Sequence, residues 1–195
     1  MTTQQSLSQR NRNRRMLIAI FAIFLGSFFV AGVLRFSGWR PSGLKNHGEL
    51  LQPPSDLRQM EPVLADGSVY RWNPVERTWR IVVAPPADCT QACVELAREI
   101  DVVWQLFGRD ADRVHVLWMG APPAGVKKTT VKLQSLRPAP ALRAALPRVD
   151  DAGSAGRPGV PVYVVDPNGF VILRYAPGFD PGDLRTDVAR LLKLR

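Results

Sequence analysis

The sequence predicts an α/β domain carried behind a single transmembrane helix. Three observations predict it: a charge-free run of bilayer length near the N-terminus, two β-branched runs flanking one amphipathic helical pattern, and a late strand–turn–strand run followed by a second helical pattern. The 195 residues suit one domain of ordinary size plus appendages. Fifteen Gly and 17 Pro foretell long irregular connections, while 46% hydrophobic residues exclude a wholly disordered chain. Two cysteines exclude a disulfide-rich scaffold and a four-cysteine zinc site. The net charge of +9 is largely a tail effect: five of the 26 Lys+Arg and none of the 17 Asp+Glu precede residue 36. No nucleic-acid partner is expected on that balance.

Residues 1–15 form a basic tail, and residues 16–34 (MLIAIFAIFLGSFFVAGVL) carry no charge. At 1.5 Å per residue the run spans roughly 28 Å, close to the ~30 Å hydrocarbon core of a bilayer. Arg10, Arg12, Arg14 and Arg15 stand before it, with sparser Arg35, Arg40 and Lys45 after it. The positive-inside rule places the N-terminus in the cytoplasm and the rest across the membrane. A cleaved signal peptide is the alternative, but the run is longer than an ordinary signal core and Ala31-Gly32-Val33 is a poor cleavage site. Either way the remainder reaches an oxidising compartment where a cysteine pair can close.

Residues 35–61 are rich in Gly, Pro and polar side chains and read as a tether, with Trp39 a candidate for the membrane interface. The domain is then expected over 62–195. Asp66-Gly67 between two short apolar runs signals a hairpin. Residues 79–84 (WRIVVA) read as a strand buried on both faces. Cys93, Leu96, Ile100, Val103, Trp104 and Phe107 recur at helical spacing, with Asp88 or Thr90 as caps. A second buried strand follows at 114–119. Prolines interrupt 120–160, leaving one short helix near 141–146 and a basic stretch of Lys127, Lys128 and Lys132 that reads as a solvated face. Residues 160–165 and 170–175 form a hairpin about Pro167-Asn168-Gly169, and 183–194 close the chain as a helix. A strand–helix–strand crossover, then a hairpin and a terminal helix, is thioredoxin-like topology.

Cys89 and Cys93 sit after the first long strand, at the opening of the first long helix. Four-residue helical spacing puts their Cα atoms about 6 Å apart, within disulfide range. The N–H groups and positive dipole end of the helix favour a thiolate, so the pair suits a nucleophile with its resolving partner, or a soft-metal site. Cys89 is the expected attacking thiolate and Cys93 the partner one turn deeper. A static bridge is the alternative, although a five-residue loop stabilises by only roughly 2 kcal/mol on the loop-entropy account. Thioredoxin-like folds set a cis-proline facing the cysteines at the start of a strand. Pro161 occupies that place and is taken as a third catalytic residue; an ordinary proline at a strand start is the alternative.

The strand leading into Cys89-x-x-x-Cys93, with Val162-Tyr163-Val164-Val165-Asp166-Pro167-Asn168-Gly169 before another strand, resembles the Sco family of membrane-tethered, thioredoxin-like proteins that help metallate cytochrome c oxidase. Asn46-His47-Gly48-Glu49-Leu50-Leu51-x-Pro53-Pro54 is similar to small proteobacterial proteins associated with oxidase assembly. The resemblance implies a bacterial inner-membrane protein with a periplasmic domain, and an oxidase subunit or copper chaperone as partner. In that family two cysteines and a distal histidine bind copper. The matching segment here, Ala155-Gly156-Arg157-Pro158-Gly159-Val160, has no histidine, so Cys89 and Cys93 are expected to hold at most Cu(I), weakly. His115 and Met119 share a strand face as candidate replacement ligands, with ordinary packing roles as the alternative. His47 reads as a solvated tether residue. The implied function is thiol–disulfide exchange or weak Cu(I) handling in oxidase assembly; a scaffold module with a static disulfide is the competing reading.

Overall fold

The computed structural model describes residues 2–37, 45–123, 133–151 and 159–194. Trp39, Lys127, Lys128, Lys132 and residues 155–158 lie outside them. The chain divides into two units, one N-terminal and one comprising Asn46–Arg195. The first unit contains one helix, α1 (Thr2–Phe36), whose segment Asn11–Phe36 is long and apolar enough to cross a membrane. The expected span 16–34 lies wholly inside it.

The second unit opens with β1 (Glu49–Asp56), then β2 (Trp79–Val83), α2 (Gln91–Gln105), a 3-10 turn over Gly108–Arg113, β3 (Val114–Met119) and β4 (Leu133–Leu136). It closes with α3 (Pro140–Ala145), β5 (Val162–Val165), β6 (Phe170–Tyr175) and α4 (Pro181–Leu191). The six strands form one sheet in the order β1-β6-β5-β2-β3-β4. β2, β3 and β4 run parallel, while β5, β6 and β1 add as antiparallel neighbours. This is the thioredoxin-like α/β arrangement that the element order predicts.

Two expectations about boundaries need correction. Residues 49–56 fall inside the expected tether 35–61, yet they pair with β6 through Glu49↔Arg174 and Leu50↔Leu173. Pro53-Pro54 disguised them, because proline removes a ladder donor; an edge strand tolerates that loss. β4 also went unseen, since its sequence Leu-Gln-Ser-Leu is short, half polar and soon followed by Pro138 and Pro140.

The central strands explain their own burial. Side chains alternate across the sheet, so Ile81, Val83, Val116, Trp118, Val162 and Val164 join one apolar cluster with α2 and α4. Val82, Ala84, Leu117, Met119, Tyr163 and Val165 join a second cluster with Leu142 and Leu146. Both faces are covered, which is why these strands read as unbroken hydrophobic runs. α2 buries Cys93, Leu96, Ala97, Ile100 and Val103 at three- and four-residue steps. α4 starts on Pro181 with Asp180 as N-cap, its carboxylate accepting from the Gly182 N–H at 2.7 Å.

Candidate functional site

β2 delivers the chain to Pro85 and Pro86, and the Pro86 carbonyl accepts from the Cys89 N–H at 3.3 Å to close a turn. Cys89 therefore lies in the turn and Cys93 in the first turn of α2, with Cα atoms 5.8 Å apart and a disulfide between them. The expected spacing is met, although Cys89 stands just outside the helix. Of the two capping residues expected, Thr90 is the N-cap, and its side chain makes no cap hydrogen bond. The first N–H groups of α2 thus lack that side-chain acceptor beside the sulfur pair. Cys89 is half-buried, whereas Cys93 is 3% exposed.

The pair opens on a cavity of about 720 Å³. Its walls include Pro85, Pro86, Pro138 and Pro140 with the C-terminal end of β3 at Trp118 and Met119. Proline walls resist collapse, so the cavity is largely preformed. Arg143 fastens one side, donating to the Pro85 carbonyl at 2.9 Å and to the Asp150 carboxylate at 2.6 Å. A half-buried sulfur lining an apolar cavity, backed by a buried one, is suited to exchange with a thiol that docks there.

A model of the family described as transmembrane-like, thioredoxin-like, C-terminal domain matches residues 79–195, the stretch that contains β2, both cysteines and α4. The chain belongs to this family. No curated protein matches it. Among solved structures, BsSco, of the Sco family of cytochrome c oxidase assembly proteins, is similar at 12% identity and TM-score 0.51, covering 76% of this chain and 98% of that one. A SCO1/SenC family lipoprotein from Bacillus anthracis is similar at 14% identity and TM-score 0.50, covering 73% and 99%. Xanthomonas campestris peroxiredoxin Q aligns at 14% identity and TM-score 0.47, covering 76% and 97%. Likeness at these identities is likeness of fold.

Within this thioredoxin-like domain the other sequence-derived candidates separate. Pro161 is buried and its carbonyl accepts from the Ala84 N–H at 3.2 Å, tying β5 to the exit of β2. The cis bond among the described residues is Gln52–Pro53, not Val160–Pro161, and Pro161 is not among the residues lining the cavity. Met119 does line it. His115 does not: it lies four residues from Met119 along β3, roughly 13 Å at strand rise. There its Nδ1 meets the Tyr70 hydroxyl at 2.8 Å. That hydroxyl also accepts from Arg80 Nε at 2.9 Å. Arg80 is fully buried and also donates to the carbonyls of Thr78, Asp166 and Pro167. Burial pushes the Tyr70 hydroxyl pKa up, against the pull of that guanidinium. His115 therefore belongs to a structural network at the opposite end of β3, and its candidacy as replacement copper ligand fails.

His47 corrects the tether reading. Its backbone N–H and that of Gly48 donate to Asp187 Oδ2 at 2.7 and 2.9 Å, and its Nδ1 meets Oδ1 at 3.2 Å. The Tyr175 hydroxyl donates to the same Oδ2 at 2.8 Å. Burial pushes the Asp187 carboxyl up, but the Gly48, Tyr175 and His47 donors outweigh it and hold the pKa below the usual carboxylate value. Tyr175 is driven far above an ordinary phenol, first by burial and then by its bond to the carboxylate. The segment missed by sequence reasoning is thus a clamp that seats the start of the domain on α4. One signal for it was present: Asp187 occupies the apolar face of that helix, among Leu184, Val188 and Leu191.

The site does not fit a two-cysteine, one-histidine copper centre. The chain has two histidines, placed as above, and among the described residues no three of His, Cys, Asp and Glu cluster as metal ligands.

Proposed function

We propose that this chain is a membrane-anchored thiol–disulfide exchange protein that acts outside the cytoplasm through Cys89 and Cys93. The carrying observation is the paired placement of the cysteines, half-buried Cys89 and buried Cys93 lining one apolar cavity. The Cys89 thiolate attacks a partner disulfide and releases one partner sulfur, giving a mixed disulfide. The Cys93 thiolate then displaces the second partner sulfur. Two electrons and two protons pass to the partner, and the chain is left with the Cys89–Cys93 bridge. Pro161 acts at most as a support for β2, through its carbonyl.

The proposed setting is assembly of the copper centre of cytochrome c oxidase, with the N-terminus cytoplasmic and the domain periplasmic in a bacterial inner membrane. Support comes from the Sco-like motifs, the arginines before α1 and the fold shared with BsSco, a protein in which a disulfide switch was identified. The deciding measurement is the reduction potential of the pair in the full chain equilibrated with a dithiol buffer. A value above about −300 mV supports exchange; a value below it marks a structural bridge and overturns the reading. A Cys93→Ser chain should retain the oxidase subunit as a mixed disulfide on Cys89, and failure to trap it would remove the oxidase setting alone.

A further inference from the structure

Trp118 is the largest fully buried side chain among the described residues, at 0% exposure, and its indole Nε1–H has no hydrogen-bond partner among them. Buried donors left unpaired are rare and costly, so this one requires an explanation. Trp118 lines the cavity together with Cys89 and Cys93, and shares one apolar cluster with Cys93. Several acceptors of the cavity wall and its neighbourhood already hold a donor. Arg143 occupies the Pro85 carbonyl and the Asp150 carboxylate, Cys89 N–H the Pro86 carbonyl, and Gly120 N–H the Leu136 carbonyl. The same wall carries the two cysteine sulfurs, acceptors whose strength depends on redox state.

We infer that the Trp118 Nε1–H is the hydrogen-bond donor to the Cys93 sulfur once the disulfide is reduced. Resting on the exchange reading above, this gives the buried cysteine its means of ionising. A disulfide sulfur is neutral and a poor acceptor, whereas a thiolate is charged and accepts strongly. Reduction by an external dithiol brings two electrons and two protons, breaks the S–S bond, and releases the reductant as its own disulfide. The freed Cys93 sulfur then satisfies a donor that the oxidised protein leaves idle. A bond made only in the reduced state stabilises that state, lowers the Cys93 pKa and raises the reduction potential of the pair. Burial argues for an internal acceptor: neither Trp118 nor Cys93 offers appreciable surface to a docking partner.

The test is Trp118→Phe in the full chain, which keeps an aromatic ring and removes the N–H. Its dithiol–disulfide equilibrium should shift about tenfold toward the oxidised form, about 30 mV more negative at two electrons. Its thiolate absorbance should titrate at higher pH than in the wild type. A potential and titration unchanged from wild type would overturn the inference. Should the smaller ring loosen the fold, the indole N–H resonances of the wild-type chain labelled with nitrogen-15 tryptophan decide the matter without a substitution. One of the five should move downfield on reduction and titrate with the thiolate; five unmoved signals would also overturn it. A wild-type potential below about −300 mV would sink the exchange reading, yet leave the difference between the two chains to judge this donor separately.

Discussion

Two buried polar groups in this domain are treated in opposite ways. Asp187, 3% exposed, accepts from the His47 and Gly48 amides, the Tyr175 hydroxyl, the His47 ring and Arg190. Trp118, 0% exposed, donates to none of the described residues. A saturated group fixes one conformation, because any other arrangement strands a charge in the interior. An unsatisfied group costs stability in the state observed and gains where a partner arrives. The contrast divides the domain into a clamp that holds and a sulfur site that, on the exchange reading proposed above, changes state.

The largest effect should come from breaking the clamp. Asp187→Asn keeps the shape but replaces the charged acceptor, and should destabilise the domain by about 3 kcal/mol in denaturant unfolding of the full chain. The pH dependence follows from the sign of the shift. A carboxyl with a lowered folded pKa contributes stability above its unfolded value of about 3.9, and that contribution fades as pH falls through the folded value. The gap between wild type and Asp187→Asn should therefore be full at neutral pH and close below about pH 4. A gap independent of pH would mean that packing, not ionisation, holds the segment.

Gly48→Ala probes the same clamp sterically. A Cβ at Gly48 would lie 2.5 Å from Tyr175 Cζ, so the ring that donates to Asp187 must move. The expected loss is about 2 kcal/mol, typical of forced overpacking. Stability equal to wild type would show that the ring shifts without releasing the carboxylate.

At the sulfur site the effect on stability should be smaller and the effect on chemistry total. Cys89→Ser with Cys93→Ser removes a five-residue loop, worth at most about 2 kcal/mol on the chain-entropy account. Exchange with a partner disulfide should vanish. Intact oxidase assembly with the doubly substituted chain would favour the scaffold reading instead.

The two regions also differ in how far the sequence reveals them. The sulfur site was legible because its parts are local: the run ending at Ala84 makes a strand, the helical spacing from Cys93 makes α2, and the two cysteines fall between. The second strand, 114–119, and the last, 170–175, were equally plain, since each is apolar but for one residue, His115 and Arg174. The clamp was not legible, because His47 and Asp187 stand 140 residues apart and no local pattern joins them. β1 was hidden by Pro53-Pro54, residues that stop a central strand and are harmless on an edge. Pro161 shows a different failure: its position in the chain fits, but Val160–Pro161 is trans and its carbonyl serves β2 rather than the cavity.

The smallest expected effect concerns copper, and it follows from where the two histidines went. A Cu(II) ion prefers nitrogen and oxygen donors in a tetragonal set, while Cu(I) accepts two thiolates. His115 is engaged with Tyr70 some 13 Å, roughly four strand residues, from the end of β3 that lines the cavity. His47 is engaged with Asp187 on α4. Neither imidazole can reach the sulfurs without dismantling a network of buried bonds, and Met119, which lines the cavity, offers a thioether that suits Cu(I) rather than Cu(II). Titrating the reduced chain with Cu(II) should therefore give no stoichiometric thiolate-to-copper charge-transfer band that survives a competing chelator, and His115→Gln should change nothing in that titration. A surviving band lost in His47→Gln would mean that the clamp opens to supply the ligand, making the region that holds and the region that changes state a single device.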